Sequence, residues 1–242
     1  MSSQQHPSHI GNSHFGNRLL DALPPELGAV LRPLLEAVPL PAAQVIHEPE
    51  DVLDACFFPT HGVISMVALT AEGQSIEIGM IGSEGMFAVG TLLGDDAPAQ
   101  RAMVQLAGDG LRIGAAALRR EVEAHAPLRT LLLRYTQATL STVAQTAACN
   151  RLHLLEQRCA RWLLSANDRA GGDTFAMTHE FLAMMLGVRR PGVSVALQAL
   201  QSSALIAYSH GTMNVLDRAG LEHASCECYA AIQREFARLL PG

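Results

Sequence analysis

The 242-residue chain contains no lysine; all seventeen of its basic residues are arginine. Arginine offers a planar fork suited to phosphate and guanine, although a bias in genome composition is the simpler account. Cysteine is scarce and unpaired in pattern: there are five, an odd number, and no CxxC, which argues against a disulfide framework. Cys56, Cys149 and Cys159 read as small buried hydrophobes, and only the run His223-Ala-Ser-Cys226-Glu-Cys228 gathers groups that can hold a metal or sense oxidation. Three neighbouring ligands fall short of the four that a zinc site wants, so no metal site is assigned. No window offers 18 consecutive apolar residues, which leaves no membrane span. Residues 1–17 lack the apolar core of a signal peptide and, rich in Ser, Gln, His, Gly and Asn, read as a disordered tail in which His6, His9 and His14 are solvated. A cytoplasmic protein is expected.

What the chain has is ample apolar content, 49%, and a length suited to two domains. Its net charge of −6 argues superficially against a nucleic-acid partner. The acid is unevenly placed, however. Residues 1–149 hold eight arginines against fifteen carboxylates, whereas residues 150–242 hold nine against eight, so the second part escapes the excess.

That second part contains the most informative segment, residues 178–201. It reads as two short helices joined by a tight turn: Thr178 as N-cap, Ala183 small where the helices touch, Gly187 where the turn needs positive φ, and Pro191 in the first turn of the second helix. Val193, Ala196, Leu197 and Leu200 share one stripe, leaving Pro191, Ser194, Val195 and Gln198 facing outward with Arg189 and Arg190 at the entry. From Gly187 to Gln201 there is no Asp or Glu, as suits a helix laid against phosphates. An ordinary αα-hairpin in a core is the bland alternative. Residues 204–208 and 212–216 flank a Ser209-His210-Gly211 turn and predict a β-hairpin, so the whole is a winged helix-turn-helix. Thr178, His179, Tyr208 and His210 join the candidate DNA-contacting set, polar residues of an ordinary turn being the alternative for the last two.

Upstream, residues 18–23 and 27–35 predict short helices around Pro24-Pro25. Strand-like runs follow at 44–47, 55–58, 62–69, 75–81, 101–106 and 110–114, spaced as in a sandwich or jelly roll. Residues 115–124 are helical, and a long helix from Pro127 to Ala148 is a candidate dimer seam. Thr136, Thr139, Thr142 and Gln145 interrupt its heptad, so packing against its own roll is the alternative. A further helix over 152–166 leads into the winged domain.

In this order of elements, and most of all in Leu182-Ala183-Met-Met-Leu186-Gly187-Val188-Arg189-Arg190-Pro191-Gly-Val193-Ser194-Val195, the chain resembles the Crp/Fnr family of bacterial transcription regulators. The resemblance implies an α+β fold: a tail over 1–17, a cyclic-nucleotide-binding-like β-roll with flanking helices over 18–124, a dimerisation helix over 125–149, a winged helix-turn-helix over 150–221 and a C-terminal helix over 222–242. It also implies a homodimer, one recognition helix per DNA half-site, control by an effector, and RNA polymerase as a further partner. Arg190 stands where the family's recognition helix opens with Arg, but Pro191 and Val195 replace its following Glu and second Arg, so the operator should differ. Arg190 would then pair with a guanine, Ser194 and Gln198 would read bases or phosphates, and Val195 would pack on a thymine methyl.

The family's phosphate cassette survives only in part. Arg101 is a remnant, no carboxylate stands at the ribose position, and Val89, Gly90 and Val143 fall where polar partners are needed; these four are the candidate effector pocket. A cyclic nucleotide is therefore a doubtful ligand, and no cofactor is assigned. Residues 1–55 hold no cysteine, which disfavours an iron-sulfur cluster like that of the family's oxygen sensors. An enzyme of the cupin type would need His-x-His closely followed by Glu, and His47 and His61 stand apart. The remaining alternative is a sensory or protein-interaction module with vestigial DNA binding.

Overall fold

The computed structural model describes residues 14–240, and the packed chain begins within the segment expected to be a tail. Phe15 is buried, and the fully buried Asn17 caps α1 (Arg18–Asp21) by accepting from the Leu20 N–H. Its amide also donates to the carbonyls of Pro59 and Gly85, at 2.8 and 2.9 Å, stapling the chain start to the roll. His14 is solvent-exposed, as expected, and its Nδ1 lies 2.9 Å from Asp21. His6 and His9 lie outside the described residues.

Helix α2 (Pro25–Leu31) ends earlier than expected, in a 3₁₀ turn at Arg32–Leu34, and the chain enters strand β1 (Glu36–Leu40), which the alternation of its short apolar run did not announce. Strand β2 (Val45–His47) follows, then β3 (Ala55–Leu69), β4 (Ser75–Ile81), α3 (Gly90–Leu93) and β5 (Arg101–Gly114). The antiparallel sheet runs β1-β5-β3-β4, with β2 also on β5. Pairs of runs expected as separate strands are fused in β3 and β5. Pro-Thr-His-Gly and Ala-Gly-Asp-Gly bend these strands without ending them, and the β3–β5 register slips between Pro59 and Ile64. Glycine is required there: a Cβ on Gly62 would fall 2.6 Å from the Leu106 carbonyl oxygen, and one on Gly108 would collide with the His61 backbone.

Helices α4 (Ala115–Ala124) and α5 (Ala126–Leu152) close the roll, and Tyr135 of α5 donates to the Met86 carbonyl at 3.0 Å. The threonines that interrupt the heptad turn inward on themselves: Thr136, Thr139 and Thr142 donate to the carbonyls four residues back. Helix α6 (Leu155–Ala170) then starts and ends a few residues later than expected, because His153 breaks α5 in an extended conformation.

Strand β6 (Thr174–Ala176), helices α7 (His179–Leu186) and α8 (Arg190–Ser202), and the hairpin β7 (Ile206–Ser209) and β8 (Thr212–Val215) complete the winged unit, with sheet order β6-β8-β7. The expected single C-terminal helix is two, α9 (Arg218–Ala224) and α10 (Cys228–Leu239), broken at residues 225–227; the boundary drawn at 221 falls inside α9. Among the described residues no helix is long and apolar enough to cross a membrane.

Two cores result, and β3 feeds both. Ile64 and Met66 point into the roll beside Phe58, Val104 and Leu132. Val63 and Val67, on the other face, pack with Trp162 and Leu163 of α6 and with Leu186 of α7. The unbroken apolar run of β3 is that of a strand covered on both faces.

Candidate nucleic-acid interface

The helix-turn-helix is built as its spacing requires. Thr178 Oγ1 accepts from the Phe181 N–H at 3.1 Å and caps α7. Gly187 takes φ 62°, ψ 39° and ends α7 in the left-handed conformation, its N–H bonded back to the last turn. The turn is also pressed against the roll, where a Cβ on Gly187 would meet Ile76 Cδ1 of β4 at 2.7 Å. Pro191 sits in the first turn of α8. Val193, Ala196, Leu197 and Leu200 are all buried, and the opposite face is open: Arg189, Arg190, Pro191, Val195 and Gln198 are exposed. Val195, at 68% exposure, is an apolar side chain presented to solvent in the middle of that face.

Ser194, His179 and Tyr208 are differently placed. The Ser194 hydroxyl donates to the Arg190 carbonyl at 3.3 Å and meets His179 Nδ1 at 2.9 Å. The His179 ring in turn stacks on Tyr208 with centroids 4.6 Å apart. These three half-buried groups brace the wing against α8. At the wing tip His210 and Gly211 both have positive φ, 49° and 79°, the two-residue turn whose twist matches a β-hairpin, and exposed His210 is bonded to Ser209 at 2.7 Å.

One acid near this face was invisible to a count along α8 alone. Glu180, in the first turn of α7, places Oε1 2.8 Å from Arg190 Nε. Both side chains are largely solvent-exposed, so the pair is worth at most about 1 kcal/mol and yields readily to a phosphate or a guanine.

The four residues expected to form an effector pocket, Arg101, Val89, Gly90 and Val143, line none of the main cavities among the described residues. Arg101 is bound through Nε to Glu48 at 2.8 Å. The largest of these cavities, about 640 Å³, lies instead between α1, the segment after β4 and α10, among Arg18, Glu84, Asp168, Arg169, Arg218 and Gln233. A second, about 570 Å³, separates the β3–β4 turn from the turn of the helix-turn-helix. His47 and His61 remain apart, His47 bonded to the Pro98 carbonyl and His61 set against Gly171.

The cysteines are sorted by the fold. All five are free and buried. Cys56 and Cys159 belong to the two main cores, whereas Cys149, Cys226 and Cys228 make a small cluster of their own. The grouping of His223 with Cys226 and Cys228 is corrected here: the histidine that joins them is His153. Cys149 and His153 are four apart across the end of α5, a spacing that could have signalled a shared face.

Comparison with known proteins places this geometry. Residues 157–224 match the model of the Crp-like helix-turn-helix domain. Among solved structures, a protein of Eubacterium rectale classed as a Crp/Fnr transcriptional regulator aligns with a TM-score of 0.68 at 19% identity, over 86% of this chain and 98% of that one. FixK2 of Bradyrhizobium japonicum aligns with a TM-score of 0.68 at 14% identity, over 79% and 98%. The c-di-GMP responsive regulator CLP of Xanthomonas campestris aligns with 0.65 at 14% identity, over 78% and 98%. No curated protein matches the sequence. The chain thus carries a Crp-like helix-turn-helix behind a cyclic-nucleotide-binding-like roll and a long helix, the fold of Crp/Fnr transcriptional regulators.

Proposed function

We propose that the protein is a sequence-specific DNA-binding regulator of transcription that acts as a homodimer. The observation that carries this reading is the outward face of α8: Arg190, Pro191, Val195 and Gln198 are exposed to solvent, with exposed Arg189 at the entry, on a helix shaped to enter a major groove. Arg190 pairs with a guanine, Gln198 reads a base edge, and Val195 meets a thymine methyl. Thr178, Arg189 and His210 contact the phosphate backbone, which sets register without carrying sequence information. Ser194, His179 and Tyr208 act by holding α8 and the wing in one orientation.

Dimerisation belongs to the same reading. Thr130, Leu133, Gln137, Leu140, Ala144, Ala147 and Arg151 are all exposed and follow one another at alternating steps of three and four along α5, the seam spacing of a coiled coil. Leu140 is 56% and Leu133 46% exposed in the single chain, and a second copy covers them. Two recognition helices then meet two half-sites, which offsets the small basic excess of each domain. Such a regulator works in the cytoplasm, with RNA polymerase as its further partner. Effector control fits this reading too, although the remnant cassette at Arg101 gives a cyclic nucleotide no carboxylate for its ribose.

The test is selection of a palindromic duplex from randomised DNA, followed by binding between 50 and 200 mM salt. Six to ten phosphate contacts predict a loss of roughly 10³ to 10⁵ in affinity over that range. Failure to enrich any sequence, or binding insensitive to salt, would mean a protein-interaction module instead.

A further inference from the structure

We propose that Cys149, His153, Cys226 and Cys228 form a tetrahedral site for Zn²⁺. The four come from three places: Cys149 in the last turn of α5, His153 at the break between α5 and α6, and Cys226 and Cys228 around the start of α10. Their ligand atoms all lie within 4.8 Å of one another. Two edges already lie at or near the length that a zinc tetrahedron needs. Zn–S near 2.3 Å and Zn–N near 2.0–2.1 Å imply about 3.8 Å between two sulfurs and about 3.5 Å between sulfur and nitrogen; Cys228 Sγ to His153 Nδ1 is 3.5 Å, and Cys149 Sγ to Cys226 Sγ, also 3.5 Å, lies within a few tenths of an ångström of its edge.

The surroundings support a metal and not merely a thiol cluster. His153 Nε2 is held by Glu227 at 3.1 Å, which turns Nδ1 toward the sulfurs. A carboxylate on the far nitrogen is the usual way a histidine ligand is oriented. Gln145 Nε2 donates to Cys228 Sγ at 3.0 Å, the kind of hydrogen bond a thiolate accepts. Three thiolates and one neutral imidazole around Zn²⁺ leave one net negative charge, the displaced thiol protons passing to water. Arg158 and Arg161, both buried and each with an Nε that has no hydrogen-bond partner among the described residues, lie within electrostatic reach of Cys149 and balance it. Three cysteines that cluster apart from both apolar cores have little hydrophobic reason to be there.

The site would fasten α10 to the joint between the long helix and the winged unit. Arg158, beside it, donates to the Leu186 carbonyl at the end of α7, so the metal would also steady the turn of the helix-turn-helix. The site stands whether or not the chain binds DNA.

The experiment uses the full chain, reduced and stripped of metal, titrated with Co²⁺ and then Zn²⁺. One equivalent of Co²⁺ should give the intense visible bands of tetrahedral thiolate coordination, abolished by one equivalent of Zn²⁺. C228S and C149S should lose those bands; C56S and C159S, in the main cores, should keep them. E227Q alters an exposed side chain that orients His153 but is not itself a ligand, and should weaken Zn²⁺ binding by roughly tenfold. A reduced, folded wild-type chain that gives no tetrahedral Co²⁺ spectrum overturns the proposal. So does a freshly purified chain free of zinc and 2 Da lighter through a Cys149–Cys226 disulfide.

Discussion

Arg190 and Glu77 show how differently two charged residues behave in this molecule. Arg190 is solvated and holds Glu180 only loosely, so its removal costs the free protein little. On DNA the same guanidinium, if bidentate to guanine, is desolvated and directional. Arg190→Ala should therefore leave the melting temperature unchanged, weaken the selected duplex by about 1–3 kcal/mol, and relax preference at one base pair per half-site. An Arg190→Ala variant with unaltered affinity and preference would remove that residue from the interface. Glu77 is the opposite case. It is wholly buried between the roll and α6, accepting from Ser65 Oγ at 2.7 Å and Trp162 Nε1 at 3.0 Å. Burial pushes its carboxyl up to about 7, against the pull of those hydrogen bonds and of Arg161 and Arg169. Between its unfolded value of 4.5 and about 7 the native state binds one proton more than the unfolded chain. Stability should accordingly fall as pH rises through that window, by ~3 kcal/mol in all, and level off above it. Urea midpoints at pH 5, 6, 7 and 8 measure the fall, and Glu77→Gln should flatten it; an equal slope in that variant would place the proton elsewhere.

At the scale of elements, α5 serves two partners with two faces. Leu128, Leu132 and Tyr135 are buried against the roll, and α10 covers part of the remainder. Among the described residues nothing covers Leu133 and Leu140 of the exposed three-and-four stripe. A charge there costs nothing in a monomer and opposes a coiled-coil seam. Leu140→Glu should keep the helical circular dichroism of the wild type, shift sedimentation from dimer to monomer, and lower affinity for the selected palindrome at least tenfold. A variant that remains dimeric would show that copies meet elsewhere. Both seam and core alternatives for this helix were legible in the sequence, yet not which residues served which, because that depends on the roll it packs upon. The helix-turn-helix was legible nearly residue by residue, since its capping threonine, left-handed glycine and first-turn proline act locally. The long strands were not, because Gly62 and Gly108 punctuate a sequence identically whether they turn a chain or let two bent strands touch. Local patterns also fail across distance: Glu180 beside Arg190, and Cys149 beside Cys226, are brought together only by helix packing.

For the whole molecule, the governing fact is that roll and winged unit share a core. Val63 and Val67 of β3 and Leu106 of β5 are buried against α6, and Ile76 of β4 abuts the turn at Gly187. Polar groups pair across this boundary: Glu77 with Trp162, and half-buried Glu84 with Arg169 at 2.8 Å. Pulling the two units apart would expose apolar surface on both and break the Glu84–Arg169 pair. Neither unit should then persist once the other has unfolded. The chain supplies its own reporter, because Trp162 is its one tryptophan and sits in that boundary. Fluorescence of Trp162 and far-ultraviolet circular dichroism should trace one coincident urea transition, as expected of a single cooperative body. Arg169→Met should move both curves together to lower urea. Two separated transitions, with fluorescence changing first while most helix remains, would mean that the winged unit leaves the roll at little cost and that the shared core does not couple them.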